Sequence, residues 1–132
     1  EFGDFVFEAE YRISAGDDSG ILIRGFNDQI QIGTSPSLKQ DVTGSPYIVC
    51  KRGYPVRAKV AEGLIRPGDW NRLRIEARGG HYQVWLNGVA VLDYHSETAL
   101  EHGPVGLQVH PGMEMRIEFR DLRIEPLGES GK

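Results

Sequence analysis

Apolar side chains recur at every second residue in stretch after stretch of this chain, and no segment sustains the 3.6-residue period of an amphipathic helix. Phe5, Phe7, Ala9, Tyr11 and Ile13 alternate with Val6, Glu8, Glu10 and Arg12. Leu73, Ile75 and Ala77 alternate with Arg72, Arg74, Glu76 and Arg78, and Tyr82, Val84 and Leu86 return after Gly79-Gly80. Val105, Leu107 and Val109 alternate with Gly106, Gln108 and His110. After Pro111-Gly112, Met113, Met115, Ile117 and Phe119 alternate with Glu114, Arg116, Glu118 and Arg120. A period of two sends neighbouring side chains to opposite faces, so each stretch reads as a strand with one buried side. Strands of this kind must lay one sheet on another, which predicts an all-β, antiparallel β-sandwich.

Turn chemistry separates the strands. Asp17-Asp18-Ser19-Gly20 reads as a turn, and Asn87-Gly88 is the strongest short-range hairpin signal. Between them lie a short strand at 21–24, with Leu22 and Arg24 on one face, and a strand at 29–32 whose Ile30 and Ile32 point inward. Residues 34–47 are polar, carry Pro36, Gly44 and Pro46, and predict a long surface loop. Residues 47–51 predict a short strand and 96–102 a single helical turn. The domain is expected to cover 1–126, with a disordered tail at 127–132.

With 132 residues, 39% hydrophobic and 26% charged, the chain suits one ordinary globular domain. Its net charge of -4 and scattered Lys and Arg exclude nucleic-acid and anionic-membrane binding, which need a basic face. No apolar run reaches the roughly 18 residues of a membrane span. The single Cys50 excludes an internal disulfide and a Cys-rich zinc site, and is expected to be a buried or half-buried structural thiol. The chain opens at Glu1 with neither Met nor signal peptide, as an excised or processed piece would.

Arg24, Gln29, Gln31, Gln108 and His110 all fall on outward parities, a set suited to hydrogen bonding with a hydroxyl-rich ligand. Each has a plainer reading: a strand histidine beside a turn, a salt-bridging arginine, a solvated glutamine face. Trp85 lies on the parity opposite Val84 and Leu86, as a sugar-stacking platform or as amphipathic packing. Asp17-Asp18 offers the clustered oxygens that calcium takes, but turn chemistry accounts for the pair, so no metal and no cofactor is expected. Asp93 and His95 flank Tyr94 just past a strand, where a general acid or an exposed loop would sit; His81 and His102 read as turn and loop surface.

Several short pieces carry a resemblance. They include Gly3-Asp4-Phe5, Glu10-Tyr11-Arg12, Ser19-Gly20-Ile21 with Arg24, Gln31, Gly44 with Tyr47, and Gly68-Asp69-Trp70-Asn71. Trp85-Leu86-Asn87-Gly88, Gly106-Leu107-Gln108 with His110, and Phe119-Arg120 with Leu122 and Ile124 follow in order. So spaced, the chain resembles a concanavalin A-like jelly roll and is similar to the 3-keto-disaccharide hydrolase domain family, a set classed with glycoside hydrolases. It departs where the family usually carries Glu, at Gln29, and an acidic residue usual just after that strand stands as Gly33 or Thr34. It also lacks the family's further N-terminal strand, which leaves an edge open for homodimer pairing or for a neighbouring domain. The resemblance implies a carbohydrate ligand and a secreted or periplasmic setting. On a 3-keto-disaccharide it implies His110 as the base that removes the acidified C2 proton and Arg24 as stabiliser of the enolate oxygen. Gln29, Gln31 and Gln108 would then orient the sugar. The alternative is a non-catalytic carbohydrate-binding module of a larger extracellular protein.

Overall fold

A computed structural model describes residues 2–13, 18–35, 38–108 and 117–127. In chain order the strands are β1 (Phe5–Ile13), β2 (Asp18–Ile23), β3 (Asp28–Ser35), β4 (Gln40–Asp41) and β5 (Pro46–Ile48). They continue as β6 (Asn71–Arg78), β7 (His81–Leu86), β8 (Val89–His95), β9 (Gly106–Leu107) and β10 (Ile117–Pro126). The first sheet runs β10-β1-β6-β7-β8; the second runs β4-β3-β2-β9, with β5 also paired to β3. All pairings are antiparallel.

The alternation places the core as expected. Phe5, Phe7, Ala9 and Tyr11 from β1, Leu73, Ile75 and Ala77 from β6, and Tyr82, Val84 and Leu86 from β7 meet Ile21, Ile23, Ile30 and Ile32 of the second sheet. Each such side chain contributes about 1.5–3 kcal/mol of burial. Outside, the first sheet carries a ladder of cross-strand charge. Glu8 pairs with Arg72 and Arg74, Arg74 and Arg78 with Glu76, Arg12 with Glu118, and Arg120 with Glu10. The hydrogen bond from Arg120 holds the Glu10 carboxyl below its usual range. Exposed pairs like these are worth roughly 0–1 kcal/mol each, so the apolar side decides the fold. Trp70 is half-buried between two guanidiniums, Arg12 at 4.8 Å and Arg120 at 4.1 Å from its ring centroid.

The Asn87-Gly88 hairpin forms as read, with φ of 50° and 82°. In β10 the register slips opposite β1 between Glu8 and Glu10, and Asp121 there has φ 52°. One extra residue at this bulge lets Phe119 and Ile124, five positions apart, both reach the core.

Other expectations are corrected. The described part of 34–47 is not all surface loop: β3 extends to Ser35, β4 and β5 follow, and Val42, Thr43, Gly44 and Ser45 are buried, while 38–41 are exposed. Gly44 lies so deep that a Cβ would meet Ala58 and Val91 at 3.2 Å. The strand of 47–51 stops at Ile48 and gives way to a 3₁₀ turn, Val49–Lys51, that leaves Cys50 exposed. Residues 96–102 form no helix, because the Ser96 and Thr98 hydroxyls are drawn instead to the buried Asp28 carboxylate. Tyr82 also donates to Asp28, at 2.6 Å, and burial together with that bond pushes its phenol far above the usual tyrosine range. Leu127 is tied by its N–H to Asp4 O at 2.9 Å, while 128–132 lie outside the described residues.

Arg24 departs furthest from its outward reading. The turn after β2 bends it to φ 55°, which breaks the strand parity, and the residue is only 1% exposed. Its Nε donates to Gly3 O at 2.6 Å, Nη1 to Gly79 O and Leu100 O at 2.7 and 3.1 Å, and Nη2 to Asp4 Oδ1 and Ala77 O at 3.4 and 3.3 Å. A guanidinium has five N–H donors, and all are spent. Arg24→Lys keeps the charge but offers three donors without the planar fork. We expect it to lose about 3 kcal/mol or more of stability in urea unfolding; an unchanged midpoint would show that the clamp does not hold the fold.

Candidate functional site

The outer face of the second sheet is built in rows by the strand registers. Tyr47 of β5 lies opposite Gln29 of β3, Gln29 opposite Leu22 of β2, and Leu22 opposite Gly106 of β9. In the next row Gln31 faces Gly20, whose carbonyl accepts from Gln108 N at 2.8 Å. Beyond that, Asp18 pairs with Gly33. Since Ile21, Ile23, Ile30 and Ile32 fill the inner face, these side chains point away from the core.

A hydrogen-bonded network occupies the middle of the face. Gln31, 4% exposed, donates its amide to the Asp18 carboxylate and to Ile32 O at 3.3 Å. Its Oε1 accepts from the Tyr54 hydroxyl at 3.0 Å. Tyr54 sits edge-on against Tyr47, ring centroids 5.2 Å apart. Ser19 Oγ donates to Gln108 O at 2.9 Å, fixing the backbone beside β2. Gln108 Oε1 is buried without a hydrogen-bond partner among the described residues. Gly20 is required beneath it: a Cβ there would lie 2.9 Å from Gln108 Oε1 and 2.9 Å from Ile30 O. Chemically the described residues of this face offer amide donors and acceptors, one carboxylate and two tyrosines.

The expected site residues separate into distinct places. Gln29, Gln31 and Gln108 do share this face. Arg24 does not: it is sealed at one end of the sandwich with no donor left for an oxyanion, which removes it as the enolate stabiliser. Trp85 does not either. It alternates with fully buried Val84 and Leu86 on the first sheet and therefore faces out on the opposite side of the sandwich, 5.7 Å beneath Arg74. It lines a shallow hollow of about 420 Å³ with Arg57, Lys59 and Gln83. His110 lies outside the described residues.

Asp18, Tyr47 and Tyr54 were not expected here. Asp18 reads as turn chemistry, yet it opens β2, and its spacing of two before Gly20 is the signal that puts it on this face. Tyr54 arrives from an irregular segment, and no local pattern announces it.

Burial raises the Tyr54 phenol to about 12, the hydrogen bond with Ser35 opposes the shift, and the Asp18 charge adds to it. A phenol whose folded pKa exceeds its unfolded value of about 10 contributes stability that is complete below that value and fades as pH climbs through 12. The absorbance difference between wild type and Tyr54→Phe should therefore titrate near 12; titration near the free value would mean that Tyr54 is not packed into the network.

Solved structures share this architecture. A glycosyl hydrolase candidate from Parabacteroides distasonis matches with a TM-score of 0.67 and 24% identity, over 96% of this chain and 79% of its own. The carbohydrate-binding module CBM66 of Bacillus subtilis gives 0.60 and 16%, over 93% and 75%. Galectin LEC-6 of Caenorhabditis elegans gives 0.60 and 13%, over 94% and 84%. At such identities the likeness establishes the jelly-roll sandwich fold alone. Among curated proteins none matches. The model of the 3-keto-alpha-glucoside-1,2-lyase-like domain matches residues 1–125, and the chain belongs to that family.

Proposed function

We propose that this domain binds glycosides on the outer face of its second sheet and cleaves 3-keto glycosides there by elimination. The observation that carries the reading is the buried Gln108 Oε1, which has no hydrogen-bond partner among the described residues, beside the Asp18–Gln31–Tyr54 network. A buried acceptor left unfilled costs about 1–3 kcal/mol, and a sugar hydroxyl would fill it. Family membership supports the substrate class, and the fold is shared with carbohydrate-binding proteins.

In the proposed reaction the C3 ketone acidifies the C2 proton. A base removes that proton, electron density passes through the enolate, and the C1–O bond breaks with the departing alcohol taking up a proton. Water adds to the resulting enone afterwards. His110, two residues beyond Gln108, is the proposed base, since an imidazole titrates near neutrality. With Arg24 committed to the core, the enolate oxygen is left to neutral donors such as the Gln29 and Gln108 amides. A non-catalytic binding module is the second reading, favoured by Gln29 standing where the resembled sequences usually carry Glu.

The test is release of the leaving alcohol, and growth of enone absorbance, from 3-keto glucosides added to the domain. His110→Ala should lower kcat by about 10²–10⁴-fold. Gln108→Leu should raise KM about tenfold while the domain stays folded, because it removes an acceptor that lacks a partner among the described residues. Glycan binding without cleavage would establish the binding-module reading, and failure to bind any glycoside would discard the face as a site.

A further inference from the structure

On the other side of the sandwich, the β7–β8 hairpin brings together His81, Asp93 and His95. His81 lies directly opposite His95, and Asp93 opposite Gln83, so all three project from the same outer face. The imidazole rings stack with centroids 4.2 Å apart and planes 4° from parallel. His81 Nε2 lies 2.7 Å from Asp93 Oδ1, and His95 Nε2 lies 3.9 Å from the same oxygen. One ligand atom from each residue falls within 4.8 Å of the others, a group not repeated among the described residues. Asp93 and His95 belong to β8 itself, which corrects their placement past a strand.

We infer that these three residues form a surface site for a divalent transition metal of the zinc, copper or nickel type. Zinc–ligand bonds of about 2.0–2.1 Å in tetrahedral geometry place neighbouring ligand atoms about 3.3 Å apart. The observed 2.7 and 3.9 Å straddle that value, and because two parallel ring planes cannot both contain one ion, closing the ligands requires the exposed His95 ring to turn out of its stack on His81. Two imidazoles and one carboxylate suit these metals, whereas magnesium and calcium demand mainly oxygen ligands. Gln83 Nε2, 3.5 Å from Asp93 Oδ2, steadies the oxygen turned away from the imidazoles, as outer partners of metal-binding carboxylates do. Side-chain exposures of 30%, 61% and 76% for His81, Asp93 and His95 leave room for water to complete the coordination. A bound ion would cross-link β8, an edge strand of the first sheet, to β7.

Titration of untagged protein with zinc and nickel chlorides tests this, read by calorimetry and by the rise in melting temperature. One equivalent should bind at neutral pH and find no counterpart with magnesium. His81→Ala and His95→Ala should each weaken binding at least about tenfold, as should Asp93→Asn, while His102→Ala leaves it unchanged. Because Asp93 and His95 are exposed and His81 is half-buried at the sheet surface, the variants should keep a metal-free melting temperature close to that of wild type. Absent binding by wild type, or undiminished binding by the His81→Ala/His95→Ala double variant, would overturn the site. Glycoside binding on the second sheet is measured separately in the same variants, so either proposal can fail alone.

Discussion

A guanidinium that cannot shed its charge lies fully buried at one end of this sandwich, and the packing of the two sheets is arranged around it. Removing an ion from water costs several kcal/mol even after relaxation, so it is tolerated only where each N–H finds an acceptor. Arg24 finds its five in the N-terminal segment, β6, the β6–β7 turn and the loop after β8. Asp4 is itself anchored, accepting the Gly79 N–H at 2.8 Å. Apolar burial is non-directional and would allow two greasy faces to slide. The Arg24 bonds do not, and neither does Asp28, which collects hydroxyls from Tyr82, Ser96 and Thr98. Together they fix where the β2–β3 hairpin of the second sheet meets the first.

With the sheets locked, their outer faces diverge in chemistry. The first sheet presents alternating acids and arginines that neutralise one another across strands, which is why the scattered Lys and Arg of the sequence make no basic stripe. A neutral polyol would have to displace these pairs and gain little. Among the described residues the outer face of the second sheet presents amides, tyrosines and one carboxylate, whose hydrogen bonds can be exchanged for those of hydroxyl groups at small cost.

The strand cores of β1, β6, β7 and β3 were legible because burial imposes a period that the sequence repeats residue by residue, and Asn87-Gly88 was legible because a two-residue hairpin needs positive φ. Arg24 was misread because parity continues only while the backbone stays extended, and it sits on the first residue of the turn. Asp18 was hidden by a sequence that satisfies turn chemistry and strand parity equally well. The meeting of His81 with Asp93 and His95, or of Tyr54 with Gln31, depends on partners 12 to 23 residues apart, and no local period encodes such pairs.

Asp18 returns a carboxylate to the second sheet, but not where the resembled sequences usually place theirs. It pairs with Gly33, four residues along β3 from Gln29. At about 3.3–3.4 Å per residue that separation is roughly 13 Å. Two-carboxylate glycoside hydrolysis works across about 5–9.5 Å between carboxyl groups, so Asp18 and an acid at position 29 would have to lean toward each other along the strands to flank one glycosidic bond. Elimination from a 3-keto sugar has no such requirement, because the ketone supplies the acidity that the second carboxyl would otherwise compensate. Among the described residues this face holds one acid, several amides and an unfilled acceptor, which supports the proposal of a substrate that is activated before it arrives.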